Sequence, residues 1–265
     1  MLRALYTSAT GMKAQELMID NTANNLANVN TTGFRRSRVD FADLMYNTLR
    51  QPGTIASGTQ VSPTGLQIGN GVRVVGTTKH FSQGPAEQTG NPLDLAIEGD
   101  GFFQMKLANG ELRYSRAGSL RIDSQGQLVN ADGVLLEPAI TIPTDVDISK
   151  ITISTTGIVQ GILSGSDSTP QELGQIQLIT FRNPAGLSSE GGNMFAKTAA
   201  SGDPVQGNPG DVGVGQIRQS FLENSNVEVV TELISLISAQ RAYEINSRAI
   251  RAGDEMLSTS VDIVR

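Results

Sequence analysis

Three carboxylates stand close together in this sequence: Asp94, Glu98 and Asp100. Paired carboxylates can supply the acid and the base of a glycoside hydrolysis. A blander reading weighs more. Asp94 and Glu98 fall on one face of a short strand, and Asp100 sits in a Gly99-Asp-Gly101 turn, where acids are routine. Gly69-Asn-Gly71 and Gly99-Asp-Gly101 are two-glycine fragments that complete no phosphate-binding loop and precede no helical pattern. His80 is the one histidine, and general acid–base work would need a partner within reach of it. The absence of cysteine removes disulfides, zinc–thiolate sites, iron–sulfur clusters and thiol nucleophiles together. Arg35, Arg36 and Arg38 form a small basic cluster beside Asp40 and Asp43, which reads as a solvated or salt-bridged turn. Met18, Met45 and Met256 read as packing residues rather than cofactor ligands. No catalytic residue, metal site or cofactor is expected.

The elements around these residues explain why chemistry is sparse. Charged residues make up only 17% of the 265, below the usual quarter, and uncharged polar side chains take their place. The net charge is −6 and the isoelectric point about 4.9, which argues against a general nucleic-acid binder. No apolar run approaches the ~18 residues of a membrane span. Arg3 and Lys13 bracket a stretch containing Thr7, Ser8, Thr10 and Gly11, too polar for a secretory signal. The chain therefore either stays in the cytoplasm or leaves by a route that reads no cleavable signal.

The ends differ from the middle. Residues 1–28 and 222–263 hold no proline and one glycine each, Gly11 and Gly253, whereas all 10 prolines lie between Pro52 and Pro209. Helical ends around a loop-rich β centre follow from that punctuation. The N-terminal stripe runs Leu2, Leu5, Ala9, Met12, Ile19, Ala23 and Leu26, in steps that suit one seam against another helix. The Asn28-Val-Asn-Thr-Thr-Gly33 run should end it, with Gly33 free to take a left-handed cap conformation. The C-terminal segment carries two stripes. One is Val229, Leu233, Leu236, Tyr243, Ile250, Leu257 and Val261; the other is Ala242, Ile245, Ala249, Ala252, Met256 and Ile263. They lie on nearly opposite faces, and a helix apolar on most sides must be buried on most sides. One short N-terminal helix cannot cover both, so other copies of the chain should.

Between the ends, Leu93, Leu95 and Ile97 alternate with polar neighbours, and Leu120, Ile122, Leu128, Val129, Ile151, Ile153, Ile176 and Leu178 mark further short strands. Glycine and asparagine turns at this density predict an antiparallel β domain. Residues 50–66 and 199–216 read as extended loops. The fold class is therefore α+β: N- and C-terminal helices with a central antiparallel β-rich domain. The expected divisions are an N-terminal helix over 1–32, a connecting region over 33–75, a β-rich domain over 76–221 and a C-terminal helix over 222–265.

The run Ala23-Asn-Asn-Leu-Ala-Asn-Val-Asn-Thr-Thr-Gly33-Phe34 closely resembles the N-terminal signature of the bacterial flagellar axial proteins, the rod and hook family. Ile97-Glu-Gly-Asp-Gly-Phe-Phe103 is similar to the family's Gly-x-Gly-Phe-Phe segment. Ser225-Asn-Val-Glu228 and Gln240-Arg-Ala-Tyr-Glu-Ile-Asn246 resemble the start and the core of its C-terminal helix. Within the family, the stretch from Tyr46–Gly53 to Thr64–Gly69 resembles one that follows the first helix in distal-rod subunits.

The resemblance implies that the terminal helices pair as an inner coiled-coil domain lining a channel, with the β middle outside. It implies a structural subunit of the distal rod, a helical homo-oligomer that forms a hollow drive shaft across the periplasm. Implied partners are the proximal rod proteins, the hook protein, the surrounding P-ring and L-ring proteins and the flagellar type III export apparatus, which reads no cleavable signal. Neither nucleic acid nor membrane insertion is implied. The residues expected at subunit interfaces are Leu5, Met12, Ile19 and Leu26 on the first helix, and Gly33 and Phe34 at its exit. On the last helix they are Leu233, Leu236, Tyr243, Ile250 and Leu257 on one face, and Ile245, Ala249 and Met256 on the other. Both ends should be disordered in the monomer and fold on docking, since isolated helices of this kind are marginal in water. A proximal rod or hook subunit shares these expectations. A secreted carboxylate hydrolase or a secreted binding module is a distant alternative.

Overall fold

The computed structural model describes residues 2–53, 55–57, 60–61, 64–162 and 170–263, with backbone alone at 2, 55–57, 60–61 and 260–263. Two helices bracket the chain, α1 over Leu2–Ala27 and α2 over Val229–Ile263. Among the described residues, what lies between them in sequence is short strands, turns, bends and two short 3-10 turns. The strand pairings among the described residues are antiparallel. The α+β class is therefore the observed one. The chain divides into two compact units. One comprises Met1–Ala27, Ser37–Thr78 and Glu228–Arg265, the other Asn28–Arg36 and Lys79–Val227. The first helix stops at Ala27, short of residue 32, and the second begins at Val229, later than residue 222.

In the first unit α1 and α2 pack against each other. Their direction follows from three contacts: Leu5 meets Gly253, Gly11 meets Asn246, and Asn25 meets Glu232, so the pair is antiparallel. The strand Ser37–Asp43 pairs with Val72–Lys79 and also packs on α1. Beyond it the chain makes a ribbon, with Asn47–Arg50 antiparallel to Leu66–Ile68 and Ile55–Ser57 antiparallel to Gln60–Val61. The stretch read as an extended loop over 50–66 is thus partly paired. Thr54, Gly58, Thr59, Ser62 and Pro63 of that stretch lie outside the described residues.

The second unit is built on the strand Phe102–Lys106. One edge of it pairs with Leu112–Ser115; the other pairs with Leu135–Glu137 at one end and Leu178–Thr180 at the other. Alternation along this strand makes two cores, as a period of two requires. Phe103 and Met105 join Leu95, Ile97, Leu136, Val159, Leu178 and Ile217 in the larger one. Phe102 joins Tyr114, Ile179, Leu187 and Phe195 in the smaller one, where Phe81 and Phe181 add edge-to-face ring contacts. Sidedness at Leu95–Glu98 differs from the sequence expectation. Asp94, Leu95, Ala96 and Ile97 are all buried and Glu98 is exposed, so no polar face unites Asp94 with Glu98. The strand pairs with Gln216–Gln219 and is covered on both sides.

Candidate assembly surfaces

The helix pair defines which face of α2 is already taken. Glu232, Ala239, Asn246 and Gly253 follow one another at seven-residue steps. Glu232 and Ala239 are buried, and Glu232, Asn246 and Gly253 each touch α1. Leu236, Ile250 and Leu257 flank this seam and are half-buried. The seam thus mixes three expected leucine and isoleucine positions with four small or polar residues that the stripe count passed over. On α1, Leu5, Met12, Ile19 and Leu26 are half-buried, and Ala14, Thr22 and Asn25 are buried. Asn25 Nδ2 donates to Glu232 Oε2 at 3.3 Å and to the carbonyl of Ser37 at 2.8 Å, while the Ser37 N–H donates back to Asn25 Oδ1. A buried polar contact of this kind fixes the register of a helix pair.

The opposite face of α2 has no cover in one copy. Val230, Ile234, Ile237, Ile245 and Met256 recur at helical spacing with Ala249 and Ala252 and are exposed, Ile234 at 63% and Ile245 at 65%. Ile245, Ala249 and Met256 are the expected second-face residues. Val230, Ile234 and Ile237 extend the same line towards the N-terminus of α2; the step from Ile237 to Ile245 passes through Arg241, which hid the continuity. Leu233 and Tyr243 sit on the shoulders, each 41% exposed. Val261 and Ile263 have side chains outside the described residues. The ribbon adds a second apolar surface, with Met45, Tyr46, Leu49 and Leu66 exposed. Exposed apolar side chains grouped in this way are candidates for an interaction surface.

In the second unit, the segment after the first helix is tied to the segment before the second. Gly33 has a φ of +71°, and a Cβ there would come within 2.6 Å of the Ala117 backbone nitrogen. Its left-handed backbone therefore serves this close approach, not the cap of a helix that ended at Ala27. The Gly33 N–H donates to the Glu223 carbonyl at 2.8 Å, and the Arg36 N–H donates to Asn226 Oδ1 at 2.7 Å. Phe34 is buried. Arg35, read from sequence as part of a solvated or salt-bridged turn, is fully buried, and its Nη2 lies 2.7 Å from Glu223 Oε1. Arg116 Nε reaches Glu223 Oε2 at 2.9 Å, and Arg116 also donates to the carbonyls of Gly99, Gly101 and Ile97. Burial depresses the Arg35 guanidinium below its ordinary value, with the Glu223 charge opposing that shift. Two arginines thus converge on one buried carboxylate. Of the rest of the cluster, Ser37 and Arg38 begin a strand, and Arg38 pairs with Asp40 at the surface.

Of the three acidic residues, Glu98 and Asp100 line one cavity of about 440 Å³ with Gly99, Val214 and Gln216, while Asp94 lies apart from it. Asp94 is buried and accepts from Thr89 Oγ1 at 2.6 Å and Asn91 Nδ2 at 3.1 Å, which fastens a turn. Glu98 lies 3.8 Å from Arg218 at the surface. Asp100 also lines a cavity of about 420 Å³ with Phe81, Phe102, Arg116 and Phe181. His80 is held through its backbone, by the carbonyl of Arg36 and by Asn226 Nδ2. Among the described residues no three of His, Cys, Asp and Glu converge on one point, and no helix is long and apolar enough to cross a membrane.

Terminal helices paired with each other and an exposed apolar face on the longer one suit a subunit that assembles with others. Comparison with known proteins says of what. A family described as flagella basal body rod protein matches residues 5–35, the flagellar hook protein FlgE/F/G D1 domain matches 96–161, and the flagellar basal body rod FlgEFG protein C-terminal family matches 218–263. The flagellar basal-body rod protein FlgG of Borreliella burgdorferi is 46% identical over 265 residues, 100% of each chain. Those of Caulobacter vibrioides and Bacillus subtilis are 45% and 37% identical, covering 98% and 100% of each chain. The chain belongs to the flagellar basal-body rod family and is a structural protein of the flagellar rod.

Proposed function

We propose that the chain is a subunit of the distal rod and that copies polymerise through the outward face of α2. The observation that carries this is the line Val230, Ile234, Ile237, Ile245 and Met256, exposed on the face opposite the one that grips α1. Among the described residues no further helix of more than one turn stands beside α1 and α2 to set against it, and such a face is stable only when buried. A second copy offering a different surface makes a heterologous contact, which grows into a filament where the rotation does not close. The interface set extends to Leu5, Met12, Ile19 and Leu26 on α1 and to Leu233, Leu236, Tyr243, Ala249, Ile250 and Leu257 on α2. Gly33 and Phe34 fix the chain's exit from α1. The exposed ribbon around Leu49 and Leu66 supports the distal assignment, since it occupies the stretch that resembles distal-rod subunits.

The polymer is a hollow shaft. Helices form its inner layer and line the channel through which further subunits pass; the β-rich unit forms its outer layer. Its neighbours are the proximal rod proteins, the hook protein and the P-ring and L-ring proteins, and it crosses the periplasm after export by the flagellar type III apparatus. The role is mechanical, and no residue is assigned to catalysis or to a cofactor. Helix ends that fold on docking restrict growth to the tip, where preformed grooves await them.

The test is an Ile234→Asp, Ile245→Asp double variant expressed in place of the native chain. The variant should be made and stay folded in its β-rich unit yet be missing from purified basal bodies, with motility lost. Normal rods built from it would overturn the proposal.

A further inference from the structure

A further cavity, of about 210 Å³, lies in the β-rich unit and is lined by Phe34, Arg35, Lys79, Asn193, Met194 and Phe195 among others. Lys79 Nζ stands 5.1 Å from the Phe34 ring centroid and 5.6 Å from that of Phe195. Burial alone pushes its amine below the ordinary lysine value, and no carboxylate of the described residues is placed to counter that. Arg35, whose side chain is fully buried, has an Nε that meets no acceptor. Its other nitrogens are engaged by Glu223 and the carbonyl of Ser82. Glu223 is itself saturated by Arg35, Arg116 and the Gly84 N–H. Asp132 is the carboxylate found against the Gly192 rim, and it makes no ion pair with Lys79. The cavity therefore holds one ammonium over two aromatic rings with no carboxylate of the described residues paired to it, and the buried Arg35 forms part of its wall.

We propose that this cavity is a carboxylate site, filled in the rod by an aspartate or glutamate side chain from an adjoining copy of the chain. A single ammonium suits one carboxylate; a phosphate would leave further charged oxygens facing Phe34, Met194 and Phe195. Those apolar walls suit the methylene stem that carries an acidic side chain. The source follows from charge balance. Each copy carries −6, so stacked copies repel unless acids of one meet cations of another, and Lys79 is a cation that no carboxylate of the described residues balances. A bound carboxylate would also restore the depressed basicity of Lys79. This rests on the polymerisation proposed above.

The experiment is zero-length carbodiimide coupling, which joins an amine to a carboxylate only when the two already touch. It is run on purified basal bodies and on the dilute monomer, with the cross-linked peptides read by mass spectrometry. Basal bodies should yield a Lys79 peptide joined to an Asp or Glu peptide, absent from the monomer and from a Lys79→Arg variant. Lys79→Met, which keeps the stem over the two rings, should lower incorporation about tenfold, the effect of about 1.4 kcal/mol at one contact. Its β-rich unit should melt as the parent does. Rods that contain the chain but give no Lys79 cross-link would overturn the site and leave the rod assignment standing. Absence of the chain from basal bodies would overturn both. A monomer whose Lys79 responds saturably to propionate, with no cross-link in rods, would assign the cavity to a free carboxylate and overturn the neighbouring copy as the source.

Discussion

Gly253 of α2 packs so closely on Leu5 of α1 that a Cβ on the glycine would come within 2.7 Å of Leu5 Cδ2. The obstacle is the tip of a flexible side chain, so one methyl group can be accommodated by a small turn of Leu5. Gly253→Ala also gains helix propensity, about 1 kcal/mol. It should therefore incorporate into rods as the parent does. Gly253→Leu overfills the same spot, at a cost of about 1–3 kcal/mol, and should separate the helix pair at that level. Counting subunits in purified basal bodies for the two variants checks this, and equal incorporation would show that the helices do not meet there.

Glu223 predicts the largest loss in the β-rich unit. Glu223→Gln removes the charge that balances Arg35 and Arg116, both buried. Breaking a buried pair in this way costs about 3–5 kcal/mol. The thermal transition of the β-rich unit should fall by many degrees, followed by circular dichroism at a strand wavelength. A variant that melts with the parent would mean that the arginines reach water.

Gly33→Ala should be nearly as harmful, for a different reason. The new Cβ meets backbone atoms of Arg116 and Ala117, which cannot swing away, and the φ of +71° is itself strained for alanine. A destabilisation of about 2 kcal/mol or more is expected by denaturant titration. Gly53→Ala, at a φ of +84° with nothing within 4 Å, supplies the control that carries the backbone strain without the clash.

Limited proteolysis of the dilute protein separates the two states of the helices. Rapid trimming of the first ~30 and last ~40 residues, leaving a resistant middle, is expected for helices that fold only on docking. The same protease should spare both ends in assembled rods. Ends as resistant as the middle in the monomer would place folding before assembly.

Much of this was legible in the sequence because it is periodic. The steps of Leu5, Met12, Ile19 and Leu26 gave the half-buried line of α1, and the proline-free ends gave both helices. Ile245, Ala249 and Met256 were legible as a second face for the same reason. What stayed hidden has no period. Arg35, Arg116 and Glu223 are separated by about a hundred residues each, and nothing in a run of arginines says which one will be buried. The α2 seam was misjudged because Glu232, Asn246 and Gly253 are not apolar. A close helix pair uses small residues and matched polar groups where a count of leucines finds nothing. Asp94 was placed on an exposed face because alternation assumes one wet side, and Leu95–Ile97 has none.

The bonds from Gly33 to Glu223 and from Arg36 to Asn226 bring two points nearly two hundred residues apart within hydrogen-bond distance. The β-rich unit is thus a module with its doorway closed. Lengthening a loop inside it costs little, since each doubling of a flexible loop adds only about 0.6 kcal/mol. Whole subdomains could be spliced in or pruned away behind that doorway with the helical tails unaware of the change. One pair of tails can then serve a lineage of subunits whose β-rich units differ freely in size.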